Sequence, residues 1–182
     1  DASLGTHLLV LTGGPGTGKT TTVRAIVQAH AALDRTVALC APTGRAAKRL
    51  SEAAGIEAKT IHRLLEWNPA TAHFNRNRRT PLEADLILVD EASMLDIRLA
   101  SQLLAAIPAT ATLVLVGDID QLPPVGPGQP LRDLIASRIC KTIRLHEVFR
   151  QAQQSAIVRG AHSVLEGVMP EATPAGTKGD GD

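Results

Sequence analysis

Aromatic side chains are almost missing from this chain. Its 182 residues include two phenylalanines, one tryptophan and no tyrosine, although 44% of them are hydrophobic. The core must therefore be built mainly from Leu, Ile, Val and Ala. The apolar content is still enough for one domain with a substantial core.

Cysteines and long apolar runs are scarce as well. The two cysteines, Cys40 and Cys140, lie far apart, lack metal-ligand spacing and adjoin apolar runs of strand type. We therefore expect buried, reduced thiols in a cytoplasmic protein. No apolar run is long enough to cross a bilayer and no signal peptide is visible, so the sequence predicts no membrane partner.

Charge of one sign is not in excess either. Lysines and arginines number 19 and acidic residues 18, for a formal net charge of +1. Bulk charge thus neither requires nor excludes a nucleic acid partner, and the distribution of charge must decide. The first residue is Asp rather than Met, so we expect a piece of a longer protein.

A glycine-rich segment stands between an apolar run and a predicted helix. Residues 13–20 read GGPGTGKT, after the apolar residues 8–11 and before a helical pattern over 21–33. This is the phosphate-binding pattern G-x-x-x-x-G-K-[ST] in its strand-then-helix setting. Glycines let successive backbone N–H groups turn inward around a polyphosphate, and the helix N-terminus favours negative charge. A turn that binds nothing is the alternative.

Individual residues of this loop have expected roles. Lys19 should reach the β- and γ-phosphates, and the Thr20 hydroxyl should bind Mg²⁺. The predicted nucleotide-binding residues are Gly14, Pro15, Gly16, Thr17, Gly18, Lys19, Thr20 and Thr21. The expected ligands are ATP and Mg²⁺.

Five short apolar runs predict an α/β fold. They cover residues 7–11, 36–41, 85–90, 112–117 and 142–145, separated by helical patterns or loops. Such alternation predicts a mainly parallel sheet with helices on both faces, whose ligands bind beyond the carboxyl ends of the strands. We expect this domain over residues 1–166. Residues 167–182 lack periodicity and predict a disordered tail or a linker.

Two segments between the strands have their own patterns. After the third run, Ser93 with Asp96 suggests a capping box, and Pro108 ends the predicted helix. The apolar stripe of that helix is Leu95, Leu99, Leu103 and Ile107. Residues 66–82 are polar and carry Arg76, Arg78 and Arg79, so they predict an inserted hairpin or a flexible loop. Its Trp67, His73 and Phe74 are candidates for stacking on bases.

Carboxylates follow the third run and a glutamine follows the fourth. Asp90 would hold the magnesium shell, and Glu91 would orient and deprotonate an attacking water. Capping of the next helix is the alternative for this pair. Gln121 could touch the γ-phosphate or the water, unless it merely belongs to a polar turn held by Asp118 and Asp120.

The residues after the second run suggest a polynucleotide contact. Pro42, Thr43, Gly44 and Arg45 start a predicted helix. Thr43 and the free N–H groups of the first turn could bind a polynucleotide phosphate, with help from Arg45. The alternative is an ordinary solvated helix face.

Six sequence blocks, in this order, closely resemble the RecD-like DNA helicases of superfamily 1. They are GGPGTGKT, APTGRAAKRL, KTIHRLL, VDEASMLD, VGDIDQLPPVGPG and LHEVFRQ, and they extend from residue 8 to about residue 159. The resemblance implies a RecA-like P-loop motor domain with strand order 5-1-4-3-2. It also implies ATP-driven movement along single-stranded DNA from 5′ toward 3′.

The resemblance adds roles for matching residues. Gln121 matches the glutamine that couples the nucleotide to the DNA, and Glu91 matches the catalytic base. Arg150 resembles an arginine that approaches the γ-phosphate, where a guanidinium would stabilise developing charge. Thr60 and His62 match a block that contacts the DNA strand. The interval 68–79 matches a hairpin that splits the duplex.

The implied partners follow from this family. They are single-stranded DNA with a duplex junction, a second RecA-like domain of the parent chain, and subunits of a nuclease complex. Without that second domain we expect the chain alone to bind nucleotide weakly and not to unwind DNA. A regulatory P-loop switch that binds a protein partner is the alternative function, and a small-molecule kinase is a third.

Overall fold

Six strands form one sheet at the centre of the protein. The computed structural model describes residues 7–146, 163–165 and 167–169. The elements, in chain order, are β1 (Leu8–Gly13), α1 (Lys19–Ala31), β2 (Val37–Ala41), α2 (Gly44–Ala54), β3 (Ala58–Thr60), α3 (Ile61–Leu64), β4 (Trp67–Asn68), β5 (His73–Phe74), β6 (Leu86–Val89), a 3-10 helix (Ala92–Met94), α4 (Ile97–Ala106), β7 (Thr112–Gly117), α5 (Pro130–Ser137) and β8 (Lys141–Leu145).

The order of the strands confirms the predicted α/β fold. The sheet runs β3-β2-β6-β7-β1-β8, and every neighbouring pair is parallel. The five predicted strands occupy the order 5-1-4-3-2 within it. The sequence pattern does not reveal β3, because this strand has only three residues and includes Lys59.

Helices cover both faces of the sheet, as predicted. Successive strand residues point to opposite faces, so the neighbours Val10 and Leu11 belong to different buried clusters. Leu11 packs in a cluster with Val23 of α1 and Leu50 of α2. Val10 belongs to the other cluster, which includes Leu103 of α4. Aliphatic side chains thus fill both layers.

The segment after β6 differs from its predicted form. Residues 92–94 form a 3-10 helix, and α4 begins at Ile97. Its N-cap is Asp96, whose Oδ1 accepts the N–H of Leu99 at 2.8 Å. The predicted start at Ser93 is therefore wrong, because the Asp96 carboxylate satisfies the first turn of α4 from a later position. The helix does end just before Pro108.

Residues 66–82 contain a short antiparallel hairpin. Its paired residues are Trp67 with Phe74 and Asn68 with His73. Arg76 ties the base of the hairpin, since its guanidinium donates to Glu66 Oε1 at 2.8 Å and to Glu83 Oε1 at 3.2 Å. The hairpin, rather than a plain loop, is thus the form that this inserted segment takes.

Two further predictions concern the limits of the domain. Within the described ranges, no helix has both the length and the apolar character needed to cross a membrane. The predicted tail lies outside the described residues apart from 167–169. The boundary between the domain and a tail stays a prediction.

Candidate nucleotide and polynucleotide site

The loop between β1 and α1 has the backbone conformation that phosphate binding requires. Gly16 and Gly18 are left-handed, with φ of 77° and 85°. Gly18 is the N-cap of α1, so the loop leads directly into a helix N-terminus. Turns of this kind gather backbone N–H groups into one concavity, and the helix adds partial positive charge. The loop therefore suits a polyphosphate.

Close packing against β8 explains the first glycine of the loop. A Cβ on Gly13 would lie 2.6 Å from Thr17 Oγ1 and 2.8 Å from the carbonyl oxygen of Leu145. Any other residue would push β1 away from β8. The Thr17 hydroxyl also donates to the carbonyl oxygen of Gly14 at 2.9 Å, which holds the loop in shape.

Lys19 spans the same loop. Its Nζ donates to the carbonyl oxygens of Gly13 at 2.5 Å and Gly14 at 3.0 Å. A lysine ammonium is a compact charge on a flexible stem, so it can exchange these carbonyl oxygens for phosphate oxygens. The remaining predicted nucleotide ligands in the loop and the first turn of α1 are Pro15, Thr20 and Thr21.

A cleft of about 480 Å³ beside the loop brings together the two predicted Mg²⁺ ligands and the predicted general base, whereas Lys19 and Gln121 do not line it. Thr20 of α1 lines it together with Asp90 and Glu91, which follow β6. In a parallel sheet the carboxyl ends of the strands share one edge, and this brings residues 70 positions apart in the chain into one cleft. The contiguity of this cleft supports the predicted grouping.

The Thr20 hydroxyl and the Asp90 carboxylate are chemically suited to Mg²⁺. Both are oxygen ligands, which this ion prefers. Within the described part of the chain, no group of three or more His, Cys, Asp or Glu residues could hold a metal ion by itself. A site completed by phosphate oxygens and water is the usual arrangement for Mg²⁺, so the residues present fit it.

The two carboxylates share an environment that resists their ionisation. Burial raises the pKa of Asp90 above its ordinary value, while the backbone N–H of Glu91 and the Lys19 ammonium oppose this rise. Burial also raises the pKa of Glu91, and the Asp90 carboxylate adds to the effect. A carboxylate with a raised pKa accepts a proton more readily, which suits a general base.

The backbone of Glu91 is also unusual. Its φ is 52°, in the left-handed region that side chains with a Cβ rarely adopt. The Glu91 N–H donates to Oδ1 of Asp90 at 2.9 Å, which stabilises the turn between them. Such strained positions concentrate at functional sites. Glu91 is the N-cap residue of the 3-10 helix but makes no side-chain cap hydrogen bond, and Asp96 caps α4, so neither carboxylate of this pair caps a helix with its side chain.

Gln121 lies on the loop that follows β7. In the sheet, β7 stands between β1, which precedes the phosphate loop, and β6, which precedes Asp90. The loop begins with a polar turn, since the Asp118 carboxylate accepts the N–H of Asp120 at 3.0 Å and the Asp118 carbonyl accepts the N–H of Gln121 at 3.3 Å. The Gln121 side chain is exposed. The turn and a role for Gln121 are therefore compatible.

Threonines begin the two helices that follow β2 and β3. Thr43 Oγ1 accepts the N–H of Ala46 and caps α2, and Thr60 Oγ1 accepts the N–H of Arg63 and caps α3. Both accepting bonds are 3.2 Å long. The hydroxyl protons stay available to a phosphate oxygen, as do free N–H groups of each first turn. The other predicted contacts beside Thr43 are Pro42, Gly44 and Arg45, of which Gly44 and Arg45 are exposed.

An aromatic cluster joins α3 to the hairpin. The ring centroids of Trp67 and Phe74 lie 4.8 Å apart, and His62 lies 5.6 Å from Phe74 and 6.4 Å from Trp67. Trp67 is 42% exposed. His62 thus belongs to a group of rings in edge-to-face and tilted contact at the surface. This cluster joins the predicted contact at His62 to the predicted stacking residues of the hairpin. His73, the third stacking candidate, is exposed and pairs with Asn68 instead.

Some residues at the site have no clear signal in the sequence. Arg49 of α2 lines the same cleft as Glu91, although the pattern of α2 places it on a solvated face. Arg144 and His146 line a second cavity of about 210 Å³ on the β8 side of the phosphate loop. The positions of Arg49, Arg144 and His146 beside the phosphate loop depend on packing between segments that are distant in the chain. Arg150 lies outside the described residues.

Comparisons with known proteins identify the family of this chain. A family model described as an AAA domain matches residues 1–127. The ATP-dependent RecD2 DNA helicase of Deinococcus radiodurans is 48% identical over 93% of this chain and 23% of that protein. The RecBCD enzyme subunit RecD of Mycolicibacterium smegmatis is 43% identical over 73% of this chain and 28% of that protein.

A solved structure shows the same architecture. The crystal structure of the Pif1 helicase from Candida albicans matches with a TM-score of 0.63 and 25% identity, over 90% of this chain and 41% of that chain. The chain spans about a quarter of the length of the RecD2 and RecD relatives. The phosphate loop, the carboxylate pair and these similarities lead to one assignment. The chain belongs to the AAA-domain family and is a homologue of the RecD-like helicases.

Proposed function

We propose that this chain is the ATP-binding and hydrolysing motor domain of a RecD-like DNA helicase, which moves 5′ to 3′ along single-stranded DNA and unwinds duplex. The observation that carries the proposal is the single cleft lined by Thr20, Asp90 and Glu91 beside the phosphate loop. A domain that only binds nucleotide has no need of a general base there.

In this proposal the loop and Lys19 bind the triphosphate. Lys19 leaves the Gly13 and Gly14 carbonyls and bonds to the β- and γ-phosphates, while the loop N–H groups contact the remaining oxygens. Thr20 and Asp90 would hold Mg²⁺, which neutralises charge on the phosphates when bound. Glu91 orients a water molecule for in-line attack and accepts its proton.

The glutamine and the arginine after β7 and β8 complete the proposed catalytic set. Gln121 contacts the γ-phosphate region and relays its state toward the DNA. Arg150 stabilises the charge that develops in the transition state. Both roles rest on the resemblance to RecD-like helicases.

The proposed DNA track runs along the carboxyl ends of β2 and β3. The caps Thr43 and Thr60 and their helix N-termini bind backbone phosphates without reading sequence. Trp67, with His62 and Phe74 behind it, offers a stacking surface. The hairpin beside it would stand at the duplex junction. Other proposed partners are a second RecA-like domain of the parent chain and subunits of a nuclease complex, all in the cytoplasm.

The decisive experiment measures ATP turnover by the complete protein with and without single-stranded DNA. We expect DNA to raise turnover, and we expect unwinding of a duplex with a 5′ single-stranded tail but not with a 3′ tail. Lys19→Ala is the control that should abolish turnover. Turnover that ignores DNA would favour the regulatory switch, and unwinding from the 3′ tail would contradict the proposed direction.

A further inference from the structure

The loop that carries Gln121 is an arch with two anchored ends. It leaves β7 after Gly117 and enters α5 at Pro130. Its tip faces solvent, since Leu122 is 86% exposed and Val125 is fully exposed. Both ends of the arch pack against residues 92–97, the segment that connects the Asp90–Glu91 pair to α4.

The first end packs against the 3-10 helix. A Cβ on Gly117 would lie 3.0 Å from the backbone nitrogen of Ser93 and 2.7 Å from Cδ2 of Leu131. A methyl group has no room between a backbone atom and a buried side chain. Glycine therefore lets β7 lie directly against the segment that follows Glu91.

The second end packs against the cap of α4. A Cβ on Gly126 would lie 2.0 Å from Oδ2 of Asp96 and 2.7 Å from both its Cβ and its Cγ. Asp96 cannot simply swing away, because its Oδ1 accepts the N–H of Leu99 at 2.8 Å and caps the helix. Even alanine at position 126 would displace either the cap or the arch.

The next two residues of the arch continue this contact. The carbonyl oxygen of Pro127 accepts the N–H of Ile97 at 2.8 Å, which satisfies a free donor of the first turn of α4. Gly128 has a φ of 84°, and a Cβ there would lie 2.9 Å from Cβ of Ile97. Three consecutive residues of the arch thus fit against two residues of the helix start.

We propose that Gly126 and Gly128 are positioning residues that clasp the Gln121 arch to Asp96 and Ile97. The clasp makes Gln121 and Glu91 parts of one packed body, so that a shift of the arch moves the start of α4 and the carboxylate pair with it. This inference rests on the proposed motor function. In this proposal, Gly126 and Gly128 help to link DNA binding to ATP turnover. They do so by holding the arch in place and do not touch the reacting atoms.

The first test is Gly126→Ala in the complete protein. Misplacement of a supporting element by about 1 Å can lower a rate by about 100-fold. We expect kcat in the presence of single-stranded DNA to fall by about tenfold or more, with KM for ATP within about twofold of its original value. A general loss of folded protein would instead lower the amount of active enzyme with and without DNA alike.

The rescue variant removes the side chain at position 96 and keeps the new methyl group at position 126. Asp96→Gly removes the atoms that the new Cβ would meet, and glycine is still an acceptable N-cap. The double variant Asp96→Gly/Gly126→Ala should therefore regain most of the DNA-stimulated turnover of Asp96→Gly alone. If Gly126→Ala does not fold, this comparison between the single Asp96→Gly protein and the double variant still decides the matter.

A second pair separates contact from backbone strain. Gly128→Ala and Gly55→Ala both place alanine at a positive φ, of 84° and 76°, but nothing lies within 4 Å of a Cβ at Gly55. Only Gly128→Ala should lower DNA-stimulated turnover. Equal loss in both variants, wild-type stimulation in Gly126→Ala, or no rescue in the double variant would overturn the clasp.

Hydrogen exchange separates failure of the clasp from failure of the proposed function. The Gln121 amide donates within the first turn of the arch. Its exchange should become about tenfold faster in Gly126→Ala and slow again in the double variant, because the arch opens more often when its end is displaced. If unaltered protein ignores single-stranded DNA, the motor function fails. Unchanged exchange overturns the clasp in either case.

Discussion

The nucleotide cleft and the proposed DNA edge are built in opposite ways at the carboxyl ends of neighbouring parallel strands. In the cleft, the half-buried Asp90 and Glu91 have raised pKa values, and the backbone of Glu91 is left-handed. At the proposed DNA edge, the caps Thr43 and Thr60 have extended backbone and the Trp67 ring is exposed, although Glu66 and Ala72 of the hairpin are also left-handed. Burial favours proton transfer at the carboxylates. At the proposed DNA edge, exposed groups suit contacts with the backbone that do not depend on base sequence.

This contrast teaches where single substitutions should be severe. A buried carboxylate such as Glu91, or the Lys19 ammonium in the phosphate loop, acts from one fixed position, and no neighbouring group can take over its role. Backbone contacts at a DNA edge are shared among several groups, so each contributes a modest part. We therefore expect a steep ranking of effects, from the cleft outward.

The largest effect should come from the general base. Glu91→Gln keeps the shape of the side chain but cannot accept a proton, so we expect turnover to fall by about 10²- to 10⁴-fold while ATP binding persists. Steady-state turnover and nucleotide binding by equilibrium titration measure the two quantities. Glu83→Gln, at an exposed carboxylate of the hairpin base, is the matched control and should change neither. Retained turnover in Glu91→Gln would remove the base assignment.

The next effect concerns stacking at the DNA edge. Trp67→Ala should weaken single-stranded DNA binding by roughly 1–3 kcal/mol, because base stacking on one ring has that size. Trp67→Phe keeps a flat ring and should retain most of the affinity. Fluorescence anisotropy of a labelled oligonucleotide gives the affinity. Leu33→Ala, at another exposed apolar side chain, should be neutral, and equal loss there would contradict the stacking role.

A smaller effect should separate capping from DNA contact at Thr43. Thr43→Ala removes the cap of α2 and should cost about 1 kcal/mol of unfolding free energy, seen as a Tm lowered by about 2–4 °C. It should also weaken DNA binding. Thr43→Ser retains the hydroxyl and should restore both. A lowered Tm with unchanged DNA affinity would leave Thr43 as a cap alone.

The smallest effect lies at the opposite end of β6, away from both sites. Hydrogen bonds from the backbone N–H and the hydroxyl of Thr36 lower the pKa of Asp85. A lowered carboxyl pKa stabilises the fold above the unfolded pKa of about 3.9, and this gain is lost as pH falls through the folded value.

Asp85→Asn should therefore be slightly less stable than the original protein at neutral pH, and the difference should narrow as the pH drops below about 4. Thermal unfolding as a function of pH measures this difference. Turnover at neutral pH should not change. If the Tm values of the two proteins differ by the same amount at every pH, the ionisation of Asp85 does not contribute to the stability of the fold.

Much of the fold could be predicted because its signals are local. The phosphate loop is a contiguous motif, and the apolar runs of β1, β2, β6, β7 and β8 are short but distinct. The order of these strands came from the resemblance of six blocks to one family rather than from hydrophobic pattern. The sequence pattern places the start of α4 too early, because Ser93 and Asp96 both carry capping side chains and only packing selects Asp96.

Residue types and their spacing along the chain are enough to predict a nucleotide-binding loop, a mainly parallel sheet and two carboxylates at a strand end, because each of these signals is contiguous. Packing between distant segments, which no local pattern encodes, places Arg49 in the cleft, His62 beside the hairpin rings and Gly126 against Asp96. These contacts join segments that the chain keeps apart, and their distances depend on how helices and loops pack onto the sheet.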